Sequence, residues 1–116
     1  MLSDEQWEFL QDIARLIIEA KSFGYKLTGG ELWRTKYQQE QYVKFKKSLT
    51  MNSLHLSRMA IDFNIWIKNE NNDWELTENK NKIKPLGEFW ESLDPKNRWG
   101  GNFNNFKDLG HFEKRI

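Results

Sequence analysis

The segment Ala60–Lys68, AIDFNIWIK, alternates strictly: Ile61, Phe63, Ile65 and Ile67 share one side, and Asp62, Asn64 and Trp66 the other. Successive side chains of a strand point to opposite faces, so this period of two specifies an extended segment with one aliphatic face. That face demands a cover, and the alternation turns Asp62 away from it. NENND, from Asn69 to Asp73, has the composition of a hairpin turn and leads into a short strand at Trp74–Leu76. YKLT reads as another short strand before the Gly29-Gly30 turn, and the closing HFEKR as the last one.

Helices supply the cover. Trp7, Leu10, Ile13, Ala14, Ile17 and Ile18 recur at helical spacing, and this first helix is assigned to packing. Ser3 and Gln6 have the spacing of a capping box at its start, and Gly24 suits its end. Good helix formers run from about Thr35 to Lys47, with a basic carboxyl end that suits the helix dipole. A further helix is expected from Lys84 or Pro85 to Leu93, with Leu86, Phe89 and Trp90 on one face. Helices and antiparallel strands mix without a βαβ rhythm, so the class is α+β. With 116 residues, the chain is expected to form a single domain over 1–116.

Composition narrows the chemistry. The chain has no cysteine, so any metal must be held by His, Asp or Glu, and only two histidines are present. A formal net charge of +1 gives no global attraction to nucleic acid, so none is expected as a partner. Lys44, Lys46 and Lys47 are a local cluster that compensates a helix end. No stretch approaches the roughly 18 apolar residues of a membrane span, so no stable membrane insertion is expected. The acidic start MLSDEQWEFLQD lacks a secretory pattern, and synthesis as a soluble cytoplasmic monomer is expected.

Two segments carry the chemistry: SLHLSRMAIDF, from Ser53 to Phe63, and RWGGNFNNFKDLGHFE, from Arg98 to Glu113. The first sets His55 seven residues before Asp62, and the second sets Asp108 three before His111. Two imidazoles and a carboxylate suffice for a catalytic Zn²⁺ with one position open to water. A carboxylate beside such a site can move the water's proton, and the offset of three puts Asp108 on the same side as His111. Spacing alone leaves open that these are ordinary surface or core residues.

The pattern SxHxxxxAxD followed by WGGxF…DxxHFE resembles the metallopeptidase family of D-alanyl-D-alanine carboxypeptidases, vancomycin-resistance D,D-dipeptidases and phage L-alanyl-D-glutamate endopeptidases. GGELWRTKYQQ, from Gly29 to Gln39, is similar to the family's Arg-containing element, so the resemblance runs from about Leu27 to Glu113. It implies the D,D-peptidase or Hedgehog-like zinc peptidase fold, a small antiparallel sheet packed against helices. It makes His55, Asp62 and His111 the zinc ligands and Asp108 the general base. Arg34 would orient substrate and stabilise the oxyanion, Ser53 would contact substrate, and Glu113 would back a ligand imidazole. Arg58-Met59 stands where many members have a Gly-containing pair, so the bend after His55 is expected to be built differently.

The implied partner is a peptidoglycan stem peptide. DxxH in place of ExxH is closest to compact phage endolysins, implying an L-alanyl-D-glutamate endopeptidase of phage or prophage lysis acting on the cell wall. The alternatives are a D-alanyl-D-alanine carboxypeptidase and a non-catalytic zinc-containing wall-binding module. Asp108 counts against the last, since a structural site has no use for an adjacent base. For Arg34 the competing reading is a surface salt bridge or a helix-start residue, for Glu113 an exposed strand carboxylate. For Trp99 beside Gly100-Gly101, a buried aromatic at a tight turn is favoured over a groove wall.

Overall fold

The computed structural model describes residues 1–30, 36–44, 58–104 and 107–116, with side chains at all of these but 40 and 42–44. In chain order the elements are α1 (Leu2–Ser22), β1 (Lys26–Gly29), α2 (Lys36–Lys44), β2 (Ala60–Lys68), β3 (Trp74–Leu76), α3 (Lys80–Leu93), β4 (Asn97–Trp99), a 3-10 turn (Gly100–Asn102) and β5 (His111–Lys114). The alternating segment is β2, and the antiparallel sheet is built around it in the order β1-β2-β5-β4. β2 is long enough to serve several partners. Its start pairs with β5, with Asp62 opposite His111, and its end pairs with β3, with Trp66 opposite Leu76. β1 takes the other edge, Lys26 lying opposite Trp66. The class is α+β, as the sequence implies.

The period of two divides the sheet as expected. Ile61, Phe63 and Ile65 join Phe112 and Trp99 on the face covered by α1 and α3. Trp90 of α3 is fully buried there, edge-on to Phe9 at 5.8 Å and to Phe112 at 6.0 Å. Its indole N–H donates to the carbonyls of Arg98 and Glu113, at 3.2 and 3.0 Å. One side chain thus supplies apolar area and ties α3 to two strands. Trp99, also buried, donates to the Leu109 carbonyl at 2.8 Å. A Cβ on Gly87 or Gly101 would enter its ring, so these glycines let backbone approach an indole. Trp99 is therefore the buried aromatic beside a tight turn.

α1 buries a different stripe from the expected one. Phe9, Asp12, Ile13, Leu16 and Ala20 face the core, while Trp7, Leu10, Ala14, Ile17 and Ile18 are exposed. Both stripes have helical period, so periodicity could not choose between them. Tertiary partners did: Phe9 meets Trp90, and the Asp12 carboxylate receives Lys114 Nζ at 2.9 Å, Asn97 Nδ2 at 3.1 Å and Arg15 at 2.9 Å. Lys114 also pairs with Asp94 at 3.3 Å. A buried ion pair contributes less than its Coulomb term suggests, but losing one partner would strand the other. The capping box is absent: the helix begins at Leu2 behind Met1, so Ser3 lies inside the first turn. Gly24, at φ +78, ends the helix as expected.

α3 starts four residues before the earlier of its two expected starts. Asn79 caps it, its side chain accepting from the Asn81 N–H at 3.0 Å, and Pro85 lies inside the helix instead of opening it. β4 has no counterpart in the sequence reading. Three residues are too short for a period to register, and pairing with β5 defines them.

Arg58 precedes β2 at φ 58, in the left-handed region where an L side chain is strained. The bend is thus one that favours glycine, made here by an arginine. Arg58→Gly is expected to raise unfolding stability by about 0.5–1 kcal/mol, after its unfolded-state entropy is counted. Denaturant unfolding would measure it, and a loss of stability would mean that the arginine's own contacts outweigh the strain.

Candidate metal centre

The register fixes the site. Asp62 and His111 are directly opposed on β2 and β5, so both project from the face turned away from the core. Glu113, two residues along β5, shares that face, and Arg98 of β4 lies opposite Glu113. A line of charged side chains results. His111 Nδ1 lies 2.9 Å from Asp62 Oδ1 and its Nε2 2.7 Å from Glu113 Oε1. Arg98 Nε donates to Glu113 Oε2 at 3.2 Å, and its guanidinium stacks 4.8 Å above Phe103. Phe103 also packs against the imidazole, with centroids 5.6 Å apart.

Asp108 arrives from a turn. Its N–H donates to the Gly100 carbonyl at 3.1 Å, its carboxylate accepts from the Gly110 N–H at 3.3 Å, and its carbonyl accepts from the His111 N–H at 3.3 Å. These bonds fold DLGH so that the Asp108 and His111 side chains face one space, as the offset of three implies. A Cβ on Gly100 would meet the Asp108 carbonyl and lie 2.9 Å from His111 Cβ. Glycine at this position lets WGG pass directly behind the site.

Asp62, Asp108 and His111 each offer a ligand atom, all lying within 4.8 Å of one another. Carboxylate oxygens and an imidazole nitrogen are a donor set that suits Zn²⁺. The residues present fit such an ion: one imidazole nitrogen faces the carboxylates while the other is held by Glu113, the arrangement that orients metal-binding histidines. His55, Ser53 and Arg34 fall outside the described residues.

Burial would lower the pKa of His111, but its hydrogen bonds to Asp62 and Glu113 and their charges overcome it and raise it to about 9. Burial would likewise raise Glu113, but the His111 hydrogen bond and charge, then Arg98, pull it below the ordinary range. In the metal-free chain the imidazolium is thus the counterion of two carboxylates. A raised pKa contributes stability that is complete below the unfolded value and is lost as pH climbs through the folded one. Metal-free protein is therefore expected to be on the order of 3 kcal/mol less stable above pH ~9.5 than at pH ~6. The lowered pKa of Glu113 acts at the other end, its contribution lost as pH falls below the ordinary carboxylate range. Denaturant titrations with chelator present would test this, and stability rising from pH ~6 to pH ~9.5 would contradict it.

A family model described as "D-alanyl-D-alanine carboxypeptidase" matches residues 46–114, more than half of the chain. The chain belongs to that family. The match spans two of the three segments on which the carboxypeptidase-family resemblance rests, including Asp62, Asp108 and His111, while the segment from Gly29 to Gln39 lies outside it. The crystal structure of the Serratia marcescens L-Ala D-Glu endopeptidase ChiX has the same fold, with a TM-score of 0.67 and 20% sequence identity over 90% of this chain and 79% of that one. No curated protein matches the sequence. Among the described residues of this carboxypeptidase-family chain, no helix is long and apolar enough to cross a membrane.

Arg98 is the polar residue of the site that sequence reasoning missed. Its role depends on β4, and only the pairing of Arg98 with Glu113 reveals it. The available signal was its place immediately before the WGG turn.

Proposed function

We propose that the chain is a zinc-dependent peptidase that hydrolyses peptidoglycan stem peptides at the L-alanyl-D-glutamate bond. The observation that supports this reading is the convergence of Asp62, Asp108 and His111 with ligand atoms inside 4.8 Å. Asp62 and His111 would hold the ion together with His55. Bound there, Zn²⁺ would supply Lewis acidity, acidifying water and polarising a carbonyl. Asp108 takes the proton from the attacking water and hands it to the leaving amine nitrogen. Glu113 accepts from His111 Nε2, which leaves Nδ1 for the ion and fixes the ring's orientation, and Arg98 holds Glu113 in turn. Arg34 would orient the substrate and stabilise the oxyanion, and Ser53 would contact the peptide.

A wall-degrading role in phage or prophage lysis follows from the likeness of DxxH to compact endolysins, with the single domain acting as a monomer. A second reading, D-alanyl-D-alanine carboxypeptidase, is favoured by the family's own description. Digestion of purified peptidoglycan followed by mass spectrometry separates the two. New amino-terminal D-Glu supports the endopeptidase, released D-Ala the carboxypeptidase, and an unchanged wall with stoichiometric zinc would leave only a wall-binding module.

A further inference from the structure

Along β2, the pairing with β5 ends at Asp62 and the pairing with β3 begins at Trp66. A cavity of about 540 Å³ occupies the gap, within the range of small-ligand sites. Asp62 and Asp108 stand on its wall, so it opens directly beside the candidate metal centre. Phe63, Ile65, Leu76 and Ile83 give it an apolar lining. Two cations, Lys80 and Lys107, also line it, with Glu78.

The two lysines stand on the wall of one cavity. The charge of Lys107, then desolvation and the charge of Lys84, hold Lys80 below the ordinary lysine range. Neither forms an ion pair with a carboxylate among the described residues; Lys107 Nζ donates only to the Phe103 carbonyl, at 3.2 Å. Folding does not require two ammonium groups to share one wall, and an anion between them would offset their repulsion. Lys80 is also the first residue of α3, whose amino end adds partial positive charge at the same place. Lys107 directly precedes Asp108, and Lys80, Lys107 and Asp108 line the same cavity.

We propose that Lys80 and Lys107 form the subsite for a free α-carboxylate on the residue whose amine leaves. This deepens the peptidase reading and rests on it. The chemistry is shared by a D-Glu linked through its side chain and by a terminal D-Ala. Apolar walls receive the rest of that residue, while the lysines select the charge. A peptide bearing a carboxamide in its place loses the charge-assisted contacts.

The test uses matched peptides cut at L-Ala–D-Glu or at D-Ala–D-Ala, each with an α-carboxylate or an α-carboxamide after the scissile bond. The wild-type protein is expected to favour the carboxylate by about 10- to 100-fold in kcat/KM, mainly through KM. The pair that shows the preference identifies the source. Lys80→Gln/Lys107→Gln is expected to bring the ratio close to one, whereas Lys21→Gln on α1 keeps it. Calorimetric binding of the product peptide beginning with D-Glu, against its carboxamide, gives a readout independent of cleavage and should show the same loss. Cleavage without preference, or equal loss on both peptides in the double variant, overturns the subsite and leaves the peptidase reading intact. Selective binding of the carboxylate product without any cleavage overturns the peptidase reading and supports the subsite. Neither selective binding nor cleavage overturns both.

Discussion

Replacing His111 with alanine is expected to reduce bound zinc from one ion per chain to none and to abolish peptide hydrolysis. Two separate losses lie behind that result. The first is a ligand: Nδ1 is the imidazole nitrogen that faces Asp62, and without it the remaining donors cannot complete a catalytic site. The second is a counterion. Glu113 is 6% exposed and is bonded through one oxygen to His111 and through the other to Arg98, so alanine leaves one oxygen of a buried carboxylate without its partner. Leaving one buried acceptor without its donor costs about 1–3 kcal/mol, so the metal-free variant should also unfold at lower denaturant. His111→Gln separates the two losses. An amide can still donate to Glu113 and recover part of the stability, but it is a poor zinc ligand. Metal analysis of both variants beside denaturant unfolding provides the check. Stoichiometric zinc in His111→Ala would remove His111 from the ligand set. Protons compete for the same nitrogen: in the metal-free chain the two carboxylates hold a proton on His111 up to about 9, and a bound ion has to displace it.

Asp62, Asp108 and His111 were legible because each sits in a pattern with a local geometric meaning. Period two on β2 turned Asp62 outward, an offset of three aligned Asp108 with His111, and period two again set Glu113 beside His111. Those rules hold within one element. What connected the elements was not legible from spacing: nothing in the chain says that Asp62 opposes His111, and the resemblance to a peptidase family was needed to bring them together. Arg98 shows the limit. Its partner lies 15 residues away across a three-residue strand, too short to leave a period. The exposed stripe of α1 shows another. Trp7, Leu10, Ile17 and Ile18 satisfy the helical rule as well as Phe9, Ile13, Leu16 and Ala20 do. The choice belonged to Trp90 and Lys114, far along the chain, and the polar Asp12 among the apolar residues concealed the true face.

Asp108→Asn is expected to lower the rate by about 10²–10⁴-fold, the usual share of a general base, while keeping fold and zinc. The substitution is conservative at the turn. The side-chain oxygen can still accept from the Gly110 N–H, and the backbone bonds to Gly100 and His111 do not involve the side chain. What asparagine lacks is the basic oxygen. The loss should appear in kcat with KM little changed, and the acidic limb of the rate profile should disappear. Asp108→Ala makes the comparison informative, because it removes the turn bond as well and should add a stability loss that asparagine avoids. Metal analysis then separates the two roles compatible with an Asp108 oxygen lying within 4.8 Å of ligand atoms on Asp62 and His111. If zinc stays and the rate falls, Asp108 moves protons. If zinc falls with the rate, Asp108 is a ligand and the base must be sought elsewhere; full activity in Asp108→Asn would exclude both roles.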